Sequence, residues 1–205
     1  MRAAENSGRL VSTLTRTIRP LRDGVCLISF SSETRRREVK SEIGREIQLE
    51  RRDIIQNSRI LIVDDEPANV LLLERILQQA GYANFSKTND PREVLEFFTV
   101  YKPDLILLDL MMPNVDGYAL LTQLRSRIPD NHYLPILVLT ADVSAKARQH
   151  ALSLGAKDFL TKPFDASEVL LRVSNLLETR WISVELHEQI RVLEEQLQSE
   201  SDTPG

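Results

Sequence analysis

The sequence predicts an α/β fold, a doubly wound parallel sheet of five strands followed by an extended C-terminal helix. Two observations predict it. From Arg59 onward five short apolar runs alternate with five helical patterns, and parallel neighbours can be joined only by crossovers of that kind. The first, third and fourth runs are continuous Ile, Leu and Val stretches, the composition of strands covered by helices on both faces.

In chain order the strands are "RILIVDD" (59–65), "NFSKT" (84–88), "DLILLDL" (104–110), "LPILVLT" (134–140) and "KDFLTK" (157–162). Between and after them stand the helical segments "PANVLLLERILQQAG", "PREVLEFFTVY", "GYALLTQLRSR", "SAKARQHALSLG" and "ASEVLLRVSNLLETRW". Asp90 precedes Pro91 with Glu93 in capping-box register, and Asp165 with Glu168 repeats the spacing, so both pairs are expected to start helices. Gly81 and Gly155 stand where the first and fourth helices should stop, as glycine tolerates the left-handed residue that ends a helix.

Composition places the chain among ordinary globular proteins: 205 residues, 42% hydrophobic and 27% charged. No apolar run approaches the roughly 20 residues of a membrane helix, and "GVCLISF" is too short for a signal peptide. The chain is therefore read as cytoplasmic, with no membrane contact, and its single Cys26 as a small hydrophobe. The formal net charge of −4 is unevenly spread, since residues 1–57 carry 12 Lys+Arg against 8 Asp+Glu. That front segment, with Arg35-Arg36-Arg37 and Val39, Ile43, Ile47 and Ile54 at helical spacing, reads as a basic leader, partly helical or disordered. Interleaved glutamates make its charge a solvated face rather than a nucleic-acid patch.

The carboxyl ends of the strands carry the chemistry. Asp64, Asp65 and Glu66 follow the first strand, Asp109 the third, Thr140 the fourth and Lys162 the fifth, whereas the second ends on nothing comparable. In the strand order 2-1-3-4-5 these groups converge on the crevice where such sheets bind ligands. Three facing carboxylates repel unless a cation neutralises them, and hard oxygen donors without His or Cys point to Mg²⁺. Asp109, between the acid pair and the Lys162–Thr140 pair, is the candidate nucleophile for an aspartyl phosphate. A phosphohydrolase using such an intermediate needs an acid two residues later, and position 111 is Met.

Residues 58–178 resemble the receiver domain of two-component response regulators, through "ILIVDDEPAN", "PDLILLDLMMPNVDGYALL", "PILVLTA" and "GAKDFLTKPF". The resemblance implies a flavodoxin-like fold and a phosphoryl group accepted on Asp109 from a sensor histidine kinase or histidine phosphotransferase. It implies Mg²⁺ held by Asp64, Asp65, Asp109 and the backbone carbonyl of Met111. Lys162, Thr140 and the Ala141 N–H would contact the phosphoryl oxygens, Pro163 would be a cis proline, and Phe159 would be the aromatic switch position, without a hydroxyl. The expected result is a conformational switch that controls a downstream protein partner or a dimer state.

Beyond the receiver, no Gly or Pro interrupts residues 168–198. Leu186, Ile190, Leu193 and Leu197 follow a coiled-coil spacing, which makes 179–198 a helical coiled-coil-like extension, a homodimer its expected use, and 199–205 a flexible tail. The earlier seam positions hold Thr179 and Ser183. The extension resembles the connector to cyclic-dinucleotide enzymes of the HD-GYP type, so a receiver fragment of such an enzyme is the alternative reading. No helix-turn-helix follows the receiver, and no direct DNA binding is expected.

Overall fold

In the computed structural model the described residues are 18–20, 26–28, 49, 51–113, 115–142 and 144–201. The Arg35–Arg37 run, the Cys26 side chain and the helix expected through Val39, Ile43 and Ile47 lie outside what is described. Contacts divide the chain at Glu50. In the first unit, Ile18–Pro20 and Cys26–Ile28 pair as antiparallel strands, with Ile18 opposite Ile28.

In the second unit, Arg51 to Gly205, five strands form one parallel sheet: β1 Arg59–Val63, β2 Asn84–Thr88, β3 Leu105–Asp109, β4 Ile136–Thr140 and β5 Asp158–Thr161. Their order is 2-1-3-4-5, the expected one. The helices are α1 Pro67–Gln79, α2 Val94–Tyr101, α3 Gly117–Arg127, α4 Ala145–Ser153 and α5 Ala166–Ser201. A 3₁₀ turn, Pro91–Glu93, leads into α2.

The continuous apolar strands are explained by which side each residue faces. Ile60, Ile62, Leu107 and Leu139 pack with Leu73 of α1 and Val173 of α5, while Leu61, Ile106, Leu108 and Val138 pack with Val94, Leu121 and Ala151 of α2, α3 and α4. Successive residues along a strand alternate faces, so with helices on both sides every residue of β3 and β4, and all of β1 but Arg59, is buried. Each fully buried Leu or Ile contributes about 1.5–3 kcal/mol relative to exposure. Residues 51–56, assigned by sequence to the leader, are helical. Ile55 joins the α1/α5 core, and Arg51 lies 5.0 Å from the Trp181 ring centroid.

Both glycine stops occur as expected. Gly81 and Gly155 have φ of 94° and 106°, and the backbone N–H groups of Gly81 and Tyr82 donate to Gln78 and Leu77, satisfying carbonyls left open at the end of α1. The capping boxes form only in part. Asp90 accepts from the Arg92 N–H and Asp165 from the Glu168 N–H, but neither glutamate reaches back. Glu93 accepts from the Thr88 hydroxyl and Glu168 pairs with Arg172, because a buried hydroxyl and a guanidinium stand closer to hand.

Candidate functional site

All five strands point their carboxyl ends to one edge of the sheet, and there the structure brings the predicted groups together. Asp64 follows β1 and Asp109 ends β3, strands with no exposed residue, and the two are themselves 0% and 1% exposed, a cost that persists only when the charge is compensated. Lys162 supplies the compensation, its Nζ standing 2.6 Å from Asp109 Oδ2 and 2.7 Å from Asp64 Oδ2. The contact to Asp109 is an aligned hydrogen bond; that to Asp64 Oδ2 is held by charge, outside hydrogen-bond alignment. Burial pulls the Lys162 pKa down, but the Asp109 hydrogen bond and the charges of Asp109 and Asp64 outweigh it and leave it above the ordinary 10.5.

The remaining carboxylate oxygens are fixed by the turns that follow each strand. Asp64 Oδ1 accepts from the Glu66 N–H and from Asn69 Nδ2, each at 3.0 Å. Asp109 Oδ1 accepts from the Met111 N–H at 2.9 Å. Asp65 is half-buried beside them, and one oxygen from each of Asp64, Asp65 and Asp109 lies within 4.8 Å of the others. Carboxylates with no imidazole or thiolate form the donor set that a hard divalent cation prefers, so the residues fit Mg²⁺.

Thr140 is buried at the end of β4, and its Oγ1 accepts from the Asp142 N–H at 3.0 Å. Its carbonyl accepts from the Lys162 N–H at 2.9 Å, which ties the ends of β4 and β5. Exposed Ala141 follows, and the Lys162–Pro163 peptide is cis. Phe159 pairs in register with Val138, away from the acid cluster. The Arg148 and Arg172 guanidinium carbons lie 4.9 and 5.3 Å from its ring centroid. Met111 is exposed, and the bond its backbone N–H makes to Asp109 sets it beside the acid cluster.

Two supporting residues escaped the sequence reading. Asn69 sits on the first turn of α1, and Asn89, just after β2, donates to the Asp64 carbonyl at 2.6 Å. The second strand therefore does end on something that serves the site. Polar residues one turn or one strand away from an acid pair were the available signal.

The sequence profile of the response regulator receiver domain matches residues 60–174, more than half of the chain. The chain belongs to this receiver domain family. The receiver is 41% identical over 121 residues to the alkaline phosphatase synthesis transcriptional regulatory protein PhoP of Bacillus subtilis, covering 59% of this chain and 49% of PhoP. It is 45% identical over 119 residues to the response regulator MprA of Mycobacterium leprae, covering 58% and 50%. Among solved structures, the signal receiver domain of a Bermanella marisrubri response regulator matches at 30% identity and TM-score 0.53, over 59% of this chain and 98% of that one. The receiver domain of a signal transduction histidine kinase from Syntrophus aciditrophicus matches at 35% identity and TM-score 0.53, over 60% and 91%. The chain spans about half the length of the curated relatives it matches. PhoP is named as a transcriptional regulatory protein, a role that stands against the expectation of no direct DNA binding. Among the described residues no helix is long and apolar enough to cross a membrane.

Proposed function

We propose that this receiver is a Mg²⁺-dependent phospho-acceptor of a two-component relay, with Asp109 as the accepting residue. One observation carries the reading: a buried carboxylate, Asp109, ends the central strand with a lysine 2.6 Å away and two further acids within 4.8 Å. Asp64, Asp65, Asp109 and the Met111 carbonyl would hold the ion, which would neutralise charge on the transferring phosphoryl group.

The chemistry asked of the chain is limited. An Asp109 carboxylate oxygen attacks phosphorus, the P–N bond of a phosphohistidine donor breaks, and the freed imidazole nitrogen takes up a proton. Lys162 then turns from Asp109 to a phosphoryl oxygen, and the Thr140 hydroxyl and Ala141 N–H supply donors. Phosphorylation adds roughly two negative charges. Drawing Thr140 toward them leaves room for Phe159 to turn inward from between Arg148 and Arg172, and the β4–β5 surface passes the change to a protein partner.

The donor in this reading is a sensor histidine kinase or a histidine phosphotransferase. The test is incubation with Mg²⁺ and a small-molecule phosphodonor, followed by intact mass. The expected result is one added phosphoryl mass in the wild type and none in Asp109→Asn or in chelator. No mass gain with any donor overturns the proposal.

A further inference from the structure

Helix α5 runs 36 residues, far more than its own domain uses. Val169, Val173, Leu176 and Leu177 are buried against the sheet, and Trp181 packs on the same core. Arg180 anchors the helix beyond them, donating to the Tyr133 carbonyl at 3.0 Å. From Val184 to Gln198 every side chain is exposed, about 22 Å of helix at 1.5 Å per residue, with His187 reaching back to stack on His132 of the receiver at 6.2 Å between ring centroids.

That free segment carries an apolar stripe. Leu186, Ile190, Leu193 and Leu197 are 52%, 52%, 57% and 67% exposed, and their 4-3-4 spacing places them in one line. At 100° per residue, the line lies about a third of a turn around the helix from the face that packs on the sheet. The stripe therefore cannot fold back onto its own domain while the core contacts of α5 persist. Local polar pairs, Arg191 with Glu188 and Glu195 among them, support the outer face, each by only about 0.2–0.5 kcal/mol.

We propose that the occupant of this stripe is the same stripe of a second copy, forming a parallel two-stranded coiled coil that begins where α5 leaves the receiver. Leu186 and Leu193 take the d positions and Ile190 and Leu197 the a positions. Leucine at d with β-branched Ile at a favours two parallel strands. The flanks agree: Gln189 at g faces Glu194 at e of the other helix, an amide donor against a carboxylate, and no like charges meet across the seam. A symmetric pairing of this kind closes on itself and does not propagate. The proposal does not depend on phosphoryl chemistry.

The test uses the full chain in light scattering over a concentration series. The expected result is twice the chain mass for the wild type and for Asp109→Asn, and a single-chain mass for Leu186→Glu/Leu193→Glu. Val184→Glu/Val192→Glu, exposed positions of the same helix off the seam, keeps the doubled mass. Orientation is read from Leu186→Cys in a Cys26→Ser background. In the parallel pair oxidation links the two cysteines, whereas an antiparallel pair holds them roughly 16 Å apart, beyond disulfide reach. Single-chain mass for the wild type, doubling that survives the seam variants, or no disulfide would each overturn the proposal.

Discussion

Replacing Lys162 by methionine removes the ammonium from between Asp64 and Asp109 while keeping most of the side-chain volume. The two carboxylates left behind are 0% and 1% exposed, and oxygens of the acid cluster lie within 4.8 Å of one another. At an effective dielectric of about 20, two unit charges that far apart repel by about 3.5 kcal/mol. Deleting one partner of a buried ion pair costs about 3–5 kcal/mol. We therefore expect Lys162→Met to lose about 3–4 kcal/mol at neutral pH in chelator, measured by urea unfolding of the full chain. Adding Asp109→Asn should recover most of the loss, since Asp64 then stands as the one fully buried carboxylate and keeps its donors from Glu66 and Asn69. Saturating Mg²⁺ should stabilise Lys162→Met more than the wild type, whose ammonium competes for the same oxygens; about 2.7 kcal/mol is reached at 100 times Kd. The folded-state pKa of Lys162 is raised above 10.5. Its contribution is thus complete below that pH and lost as pH climbs through the higher folded value. A loss under about 1 kcal/mol, against the range expected for a broken buried pair, or a double variant no more stable than the single, refutes this account.

Two further outcomes are expected. Gly117→Ala would place a Cβ 2.5 Å from the Leu110 Cα, backbone against backbone, and should cost about 1–3 kcal/mol while slowing phosphoryl uptake at the adjoining Asp109; wild-type stability would contradict it. The Asp90 carboxyl is lowered from 3.8 to about 2, first by the Arg92 side-chain hydrogen bond and then by its N–H. The stability gap between wild type and Asp90→Ala should hold above pH 3.8 and shrink as pH falls toward 2. Urea midpoints that already coincide at neutral pH would rule it out.

Much of this receiver is readable from the chain because local and tertiary preferences agree. The runs at 59–63, 105–109 and 136–140 have few ways to hide their side chains other than as covered parallel strands. Gly81 and Gly155 mark helix ends that any packing would need. The acids, threonine and lysine at strand ends are legible because strand direction alone sends them to one edge. The partial capping boxes show the limit: Glu93 and Glu168 match the motif, yet Glu93 accepts from the buried Thr88 hydroxyl and Glu168 pairs with Arg172 one helical turn on, so a motif match does not decide which of two nearby partners wins.

By itself, then, the sequence determined the alternation, the strand ends and the chemistry they carry, since periodicity and residue type are properties of the chain. The tertiary structure decided what distance controls. It set Lys162 between two buried carboxylates, recruited Asn69 and Asn89 to hold Asp64, joined Ile55 to the core and turned the Leu186–Leu197 stripe away from it. Those outcomes depend on where separate elements meet in space, and charge compensation and burial are decided there.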